Sequence, residues 1–150
     1  MIIWLTGNSG TGKTTIGKLI ASRYDAILLD GDVMRSTISL GTGFSPEDRE
    51  KHNLRVARLA QELDRQGFDI VVTVIAPFES TRRKIDKMIS PVWIHLFKPS
   101  MQQDSNRPYE TSNNYFISIN TDNINIRQCY DIVMNSLKSI KGDNHGRWKP

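Results

Sequence analysis

Gly7-Asn8-Ser9-Gly10-Thr11-Gly12-Lys13-Thr14 satisfies the pattern G-x-x-x-x-G-K-[ST] in full, and no other stretch restricts the possible folds of this chain as much. The pattern works only where a strand passes to a helix through a glycine-rich loop, because backbone N–H groups must converge on phosphate oxygens at a helix N-terminus. The flanking residues supply that setting. Ile2-Ile3-Trp4-Leu5-Thr6 reads as a short buried strand, and Thr15-Ile16-Gly17-Lys18-Leu19-Ile20-Ala21 opens an amphipathic helix. The expected site is a nucleotide cradle made by Gly7, Asn8, Ser9, Gly10, Thr11, Gly12, Lys13, Thr14 and Thr15, with ATP as the ligand and Mg²⁺ as its metal. Lys13 is expected to reach the β- and γ-phosphates, and Thr14 Oγ1 to hold the metal. An incidental lysine after a glycine-rich turn would explain neither the spacing nor the context.

Short apolar runs alternate with helical patterns along the rest of the chain. Strands are expected at 2–6, 26–29, 70–74, 92–97 and 115–119. Helices are expected after Lys13, after Asp32, and over 46 to about 66, 78 to about 88 and 124 to about 140. The third helix is the best marked. Ser45 suits its N-cap, Pro46 its first turn, and Asp48 stands three residues after the cap. Leu54, Ala57, Ala60 and Leu63, flanked by Leu59, give it an apolar face, and Gly67 suits its end. This alternation predicts an α/β chain: the three-layer α/β/α P-loop NTPase fold, with a central parallel sheet. Ligands of such sheets bind beyond the carboxyl ends of the strands.

The chain has 150 residues, 38% of them hydrophobic, which suits one domain with one core. That domain is expected over 1–141. The polar stretch 142–150, which contains Trp148, reads as a mobile tail. No run of ~18 apolar residues predicts a membrane span, and the first strand leaves no room for a signal peptide. Cys129 is the only cysteine, so no disulfide can form within the chain. That fits a reducing, cytoplasmic setting, and Cys129 itself reads as a small packed side chain on the last helix. A net charge of +4 without a long basic run favours small anionic substrates over nucleic acid.

The second strand ends in Leu29-Asp30-Gly31-Asp32, which puts two carboxylates at the ligand edge of the sheet. Phosphoryl transfer needs a metal opposite the P-loop hydroxyl and a group that orients or deprotonates the acceptor hydroxyl. Asp30 and Asp32 can supply both. The third strand ends without an acidic residue, so the weight falls on Asp30. A simple turn with Asp32 as a helix cap is the bland alternative. Arg49, Asn53 and Val56 fall on one helical face, so an arginine and an amide can project together towards a second anionic ligand. Arg82, Arg83 and Lys84 cluster near a helix start, where positive charge is unfavourable. A bound anion would explain at least one of them.

Taken together, these segments resemble adenylylsulfate kinases. The resemblance lies in residues 7–15, Leu29-Asp30-Gly31-Asp32 with Arg35, Gly43-Phe44-Ser45-Pro46-Glu47-Asp48-Arg49-Glu50 with Asn53 and Arg55, Ile75-Ala76-Pro77-Phe78 with Arg82, and Pro108-Tyr109-Glu110. It is strongest over residues 1–85. It implies transfer of the ATP γ-phosphate to the ribose 3′-hydroxyl of adenylyl sulfate, a small nucleotide acceptor. Lys13, Asp30 and Asp32 would be catalytic, and Thr14 and Asp30 would hold the metal. Asp32, Arg35, Phe44, Arg49 and Asn53 would surround the acceptor, with Phe44 stacked on its base and Ile75 and Pro77 lining the pocket. Members of the family often pair as homodimers.

The chain departs from the family at Val33, where Asn is usual, and at Ala76, where Ser is usual. The larger departure follows the fourth strand. Family members carry a Cys-Glu-x-Arg-Asp element there, then a basic lid and a Phe-Thr-Gly turn. Here only Lys98-Pro99-Ser100-Met101-Gln102-Gln103-Asp104-Ser105-Asn106-Arg107 leads to Pro108, and Arg107 is its one arginine. Two further readings follow from that loss. One is the same 3′-transfer to another nucleotide, such as the cytidine diphosphoramidate used by some shortened relatives in capsule synthesis. The other is a nucleotide-binding module without turnover.

Overall fold

A computed structural model describes residues 1–101 and 104–140, so the tail expected at 142–150 lies outside the described residues. Ten elements follow one another: β1 (Ile2–Thr6), α1 (Lys13–Tyr24), β2 (Ile27–Asp30), α2 (Gly31–Ser36), α3 (Pro46–Arg65), β3 (Ile70–Thr73), α4 (Glu79–Ile89), β4 (Val92–Phe97), β5 (Ile117–Asn120) and α5 (Ile126–Ile140). The five strands form one sheet in the order β2-β3-β1-β4-β5, and every neighbouring pair is parallel. The three-layer α/β/α fold expected from the sequence is therefore present.

Strand alternation explains the layers. On β1, Ile2 and Trp4 face one core with Val72, Val56, Ala57, Ala60, Ile85 and Trp93, under α3 and α4. Ile3 and Leu5 face the other, with Ile16, Ile20, Ile94, Leu96, Cys129 and Val133, under α1 and α5. Because helices cover both faces, all five β1 residues are buried and the strand reads as an unbroken apolar run. Trp4 anchors the first core: its Nε1 donates to Val74 O at 2.8 Å, and its ring lies 5.2 Å from that of Trp93. Cys129 is buried on α5, and burial pushes its thiol pKa up, which suits a packed side chain.

Boundaries shift by a residue or two from those expected, each for a local reason. β2 runs through Asp30 and α2 starts at Gly31, so Asp32 lies in the first helical turn and does not cap the helix. β3 ends at Thr73, and β5 starts at Ile117 because Tyr115 turns inward to stack on His95. α5 starts late because Asn125 Oδ1 accepts from Gln128 N while Gln128 Oε1 accepts from Asn125 N, a reciprocal cap. α3 begins as expected, with Asp48 N donating to Ser45 Oγ, and stops at Gly67, whose φ is +94°. Its buried face is not centred where expected. Ala57 and Ala60 are buried with His52, Asn53 and Val56, while Leu54, Leu59 and Leu63 pack half-buried at the margin.

Helix α1 lies very close to the sheet, and that closeness places the loop before it. A Cβ on Gly17 would stand 2.2 Å from Thr73 Cγ2, so only glycine allows the contact.

Candidate active site

The loop between β1 and α1 curls over the carboxyl ends of the central strands. Gly7 makes the first bend at φ +137°, and a Cβ there would stand 2.0 Å from Leu96 O. Asn8 O then accepts from Thr11 Oγ1 at 2.8 Å and from Lys13 Nζ at 2.7 Å, which ties the loop to itself. The nine residues expected to cradle phosphate divide by role. Ser9, Gly10, Gly12, Lys13, Thr14 and Thr15 line a cleft of about 740 Å³, whereas Gly7, Asn8 and Thr11 shape the loop from behind. Burial lowers the Lys13 pKa to about 8 against the opposing pull of Asp30 and Asp32, so the ammonium sits in a dry place facing two carboxylates.

Asp30 stands at the end of β2, opposite Thr73 of β3 in the sheet register. Its Oδ1 accepts from Thr14 Oγ1 and from Thr73 Oγ1, both at 2.8 Å. Partial burial raises its pKa, but the hydrogen bonds from Thr73 and Thr14 and from the backbone of Val33 and Asp32 outweigh this and hold the carboxyl below its ordinary value. Asp30 is therefore an anion at neutral pH. Thr14 Oγ1, Asp30 and Thr73 Oγ1 are hard oxygen donors of the kind Mg²⁺ takes, so these residues fit the ion. No group of three or more His, Cys, Asp or Glu that could hold a metal exists among the described residues. A metal here would thus need phosphate and water oxygens to complete its shell. Asp32 lines the same cleft from the first turn of α2, exposed and without a hydrogen bond to its carboxylate among the described residues.

The far half of the cleft holds all the residues expected around an acceptor. Arg35, Phe44, Arg49, Asn53, Ile75 and Pro77 line it, joined by His52, Val74 and Ala76. Two arginines fix the Phe44 ring. Arg35 Nη1 donates to Thr42 O and Gly43 O, and its guanidinium lies 4.4 Å from the ring centre. Arg49 Nε donates to Phe44 O at 2.8 Å, and its guanidinium lies 5.5 Å from the ring. Phe44 itself is 67% exposed, so the ring presents free area to a ligand. Arg49 and Asn53 do share a helical face, but they differ in depth: Asn53 is buried, while Arg49 reaches out to Asn106 O at 3.1 Å.

That last contact closes the short connection over the site. Asn106, Arg107 and Pro108 form one wall of an adjoining cleft of about 600 Å³, faced by Asn8 and Ser9 and by Phe44 and Arg49. The connection is also tied at its far end. Glu110 N donates to Pro77 O, Glu79 N donates to Glu110 Oε2, and Tyr109 OH bonds Thr6 Oγ1. Arg82, one of the residues for which a bound anion was expected, is part of this tie. It is 4% exposed, donates to Ala76 O at 2.7 Å and to Glu110 O, and lies over the rings of Tyr109 and Tyr115. Arg83 pairs with Glu79 and Lys84 with Glu50. Protein groups thus satisfy the whole cluster, and no anion is needed to explain it.

Some features of the cleft carry no local sequence signal. Thr73 is recognisable only once β2 and β3 are in register. His52 was overshadowed by its neighbour Asn53. Ala76 holds φ +47° at the pocket wall, a conformation with no sequence signal in a non-glycine residue.

Comparison with known proteins agrees with this geometry. The chain is 40% identical over 88 residues to the adenylyl-sulfate kinase of Microcystis aeruginosa, a match covering 55% of this chain and 49% of that one. It thus spans about half the length of that relative. With the adenylyl-sulfate kinase of a Synechococcus species the identity is 30% over 165 residues, covering 91% of this chain and 93% of that one. The hexameric APS kinase from Thiobacillus denitrificans superposes with a TM-score of 0.77 at 26% identity, over 92% of this chain and 28% of the other. The family model described as adenylylsulphate kinase matches residues 1–111, and this chain belongs to that family.

Proposed function

We propose that this chain is an ATP-dependent kinase that transfers the γ-phosphoryl group to the ribose 3′-hydroxyl of adenylyl sulfate. One observation carries the reading: a single cleft joins Lys13 and Thr14 of the phosphate loop to Asp30 and Asp32, and beyond them to Arg35, Phe44, Arg49 and Asn53. A donor at one end and a nucleotide acceptor at the other meet at the two carboxylates. The names of the relatives at 40% and 30% identity point the same way.

The residues divide the work. The loop N–H groups and Lys13 hold the triphosphate and oppose the charge that builds on its moving end. Thr14 and Asp30 would hold Mg²⁺, which when bound neutralises charge on the phosphates. Asp30 is committed to this duty by its two hydroxyl partners, while Asp32 has its carboxylate free in the cleft. Asp32 therefore orients the 3′-hydroxyl and takes its proton as the acceptor oxygen bonds to phosphorus, the β–γ bridge breaks and ADP leaves. Arg35 and Arg49 meet the anionic part of the acceptor, and Phe44 stacks on its base.

The test is acceptor-dependent ADP release with adenylyl sulfate and, separately, cytidine diphosphoramidate and other nucleotides. Turnover with adenylyl sulfate supports the proposal. Turnover with a cytidine derivative alone would keep the 3′-transfer and overturn the acceptor. No turnover with any acceptor would favour a binding module.

A further inference from the structure

Two neighbouring side chains in the acceptor half of the cleft are buried, polar and unused by the transfer chemistry. His52 is 3% and Asn53 2% exposed, and both line the cleft. His52 Nδ1 lies 2.7 Å from Ser39 Oγ, itself 1% exposed, which fixes the orientation of the ring. Its Nε2 has no protein partner among the described residues. Asn53 Nδ2 is the one fully buried side-chain nitrogen or oxygen without a hydrogen bond among the described residues. Native proteins rarely leave such a donor unmatched, and this one belongs to a residue in the wall of a ligand cleft.

The surroundings say which part of a ligand these groups would meet. Burial, then the cations of Arg35 and Arg55, lower the His52 pKa to about 4, so the ring is neutral at physiological pH. Positive charge for an anionic group is already supplied by Arg35 and Arg49, and a stacking face by Phe44. Arg49, which binds Phe44 O, stands one turn before His52 and Asn53 on α3, and all four residues line the same cleft. What remains unread is the uncharged edge of the base that stacks there.

We propose that His52, together with Asn53, reads a hydrogen-bonding edge of the acceptor's nucleobase and is a specificity residue of this site. This rests on the acceptor half being a nucleotide site, but not on which nucleotide is phosphorylated. Asn53 Nδ2 donates to a ring nitrogen or carbonyl of the base. His52 Nε2 meets the same edge, as donor or acceptor according to its tautomer.

The experiment is calorimetric binding of 5′-AMP, 5′-CMP and ribose 5-phosphate to the full chain, with MgATP binding as the check on an intact fold. At least one of the two nucleotides binds the unaltered protein more tightly than ribose 5-phosphate. In His52→Ala that nucleotide weakens about tenfold, the effect of one lost hydrogen bond of ordinary strength, while ribose 5-phosphate and MgATP are unchanged. His52→Gln, neutral and able to donate and accept, recovers most of the loss. Ser39→Ala, which keeps the imidazole but removes the anchor of the ring, gives a smaller loss of about threefold in the same nucleotide. Equal weakening of ribose 5-phosphate, or no preference for a base in the unaltered protein, overturns the proposal. If adenylyl sulfate gives no ADP release but the nucleotide pattern holds, the acceptor assignment fails and the base-reading role of His52 stands.

Discussion

Thr73→Val tests the electrostatic core of the site at the hydrogen bond that Thr73 gives Asp30. Thr73 is 3% exposed at the end of β3, and its Oγ1 donates to Asp30 Oδ1 at 2.8 Å. Valine fills nearly the same volume but cannot donate. A hydrogen bond to a charged group contributes about 1.5–3 kcal/mol. Asp30 is only partly buried and keeps Thr14 and two backbone donors, so the lower end applies, about 1.5 kcal/mol. The direction with pH follows from linkage. The pKa of Asp30 is lower in the folded chain than in the unfolded one, so its contribution is complete above the unfolded value of about 4 and is lost as pH falls through the folded value. The variant has part of that contribution missing. It is therefore less stable than the unaltered chain by about 1.5 kcal/mol near pH 7, and the gap narrows as the medium is acidified past both values. Urea unfolding near neutrality and in acid measures the gap, and the carboxyl-carbon resonance of Asp30 measures the pKa directly. A gap of equal size in both media, with an unmoved Asp30 titration, would refute the assignment and reduce Thr73 to a packing residue.

Asp30→Asn should lower kcat by about a hundredfold or more, as removal of an essential charged group does, while ATP still binds the loop. Steady-state ADP release beside nucleotide binding checks this, and unchanged turnover would remove Asp30 from the mechanism. Gly17→Ala drives a Cβ into Thr73 Cγ2, 2.2 Å away, and forces α1 off the sheet. Overpacking of this kind costs about 1–3 kcal/mol, and because α1 begins with Lys13 and Thr14, MgATP affinity and melting temperature should fall together. Arg82→Leu leaves buried Ala76 O without its donor and cuts the bond to Glu110 O. A stability loss of about 3 kcal/mol or more is expected, read by denaturant unfolding, and a variant as stable as the parent would return Arg82 to the role of an anion site.

What could be read from the sequence was what depends on neighbours in the chain. The phosphate loop, the Ser45 cap and the Asp30–Asp32 pair are each contiguous, and each falls where expected. The strands were legible because helices cover both faces of the sheet, which turns a strand such as β1 into a continuous apolar run. What failed depends on pairing across distance. Thr73 meets Asp30 only through the β2–β3 register, 43 residues apart in sequence. Arg82 sits near a helix start, where the local rule disfavours positive charge, but its partners are Ala76 O and Glu110 O, six residues back and 28 ahead. A rule about one helix turn cannot see them.

The same tie explains how so short a connection can border the site at all. A long lid needs its own packing, whereas here the chain from Asn106 to Glu110 borrows order from both sides of the cleft. Arg49 holds it from α3 and Arg82 from α4, while Tyr109 reaches the end of β1 through Thr6. Arg82 also fixes Ala76 O, and Glu110 N fixes Pro77 O, so the pocket wall and the connection share their anchors. Arg107, whose guanidinium has no hydrogen bond or ion pair among the described residues, lines the adjoining cleft together with Ser9 of the phosphate loop. Loosening any one anchor should disturb the acceptor wall and the position of Arg107 together. The short connection takes its order from the walls it covers.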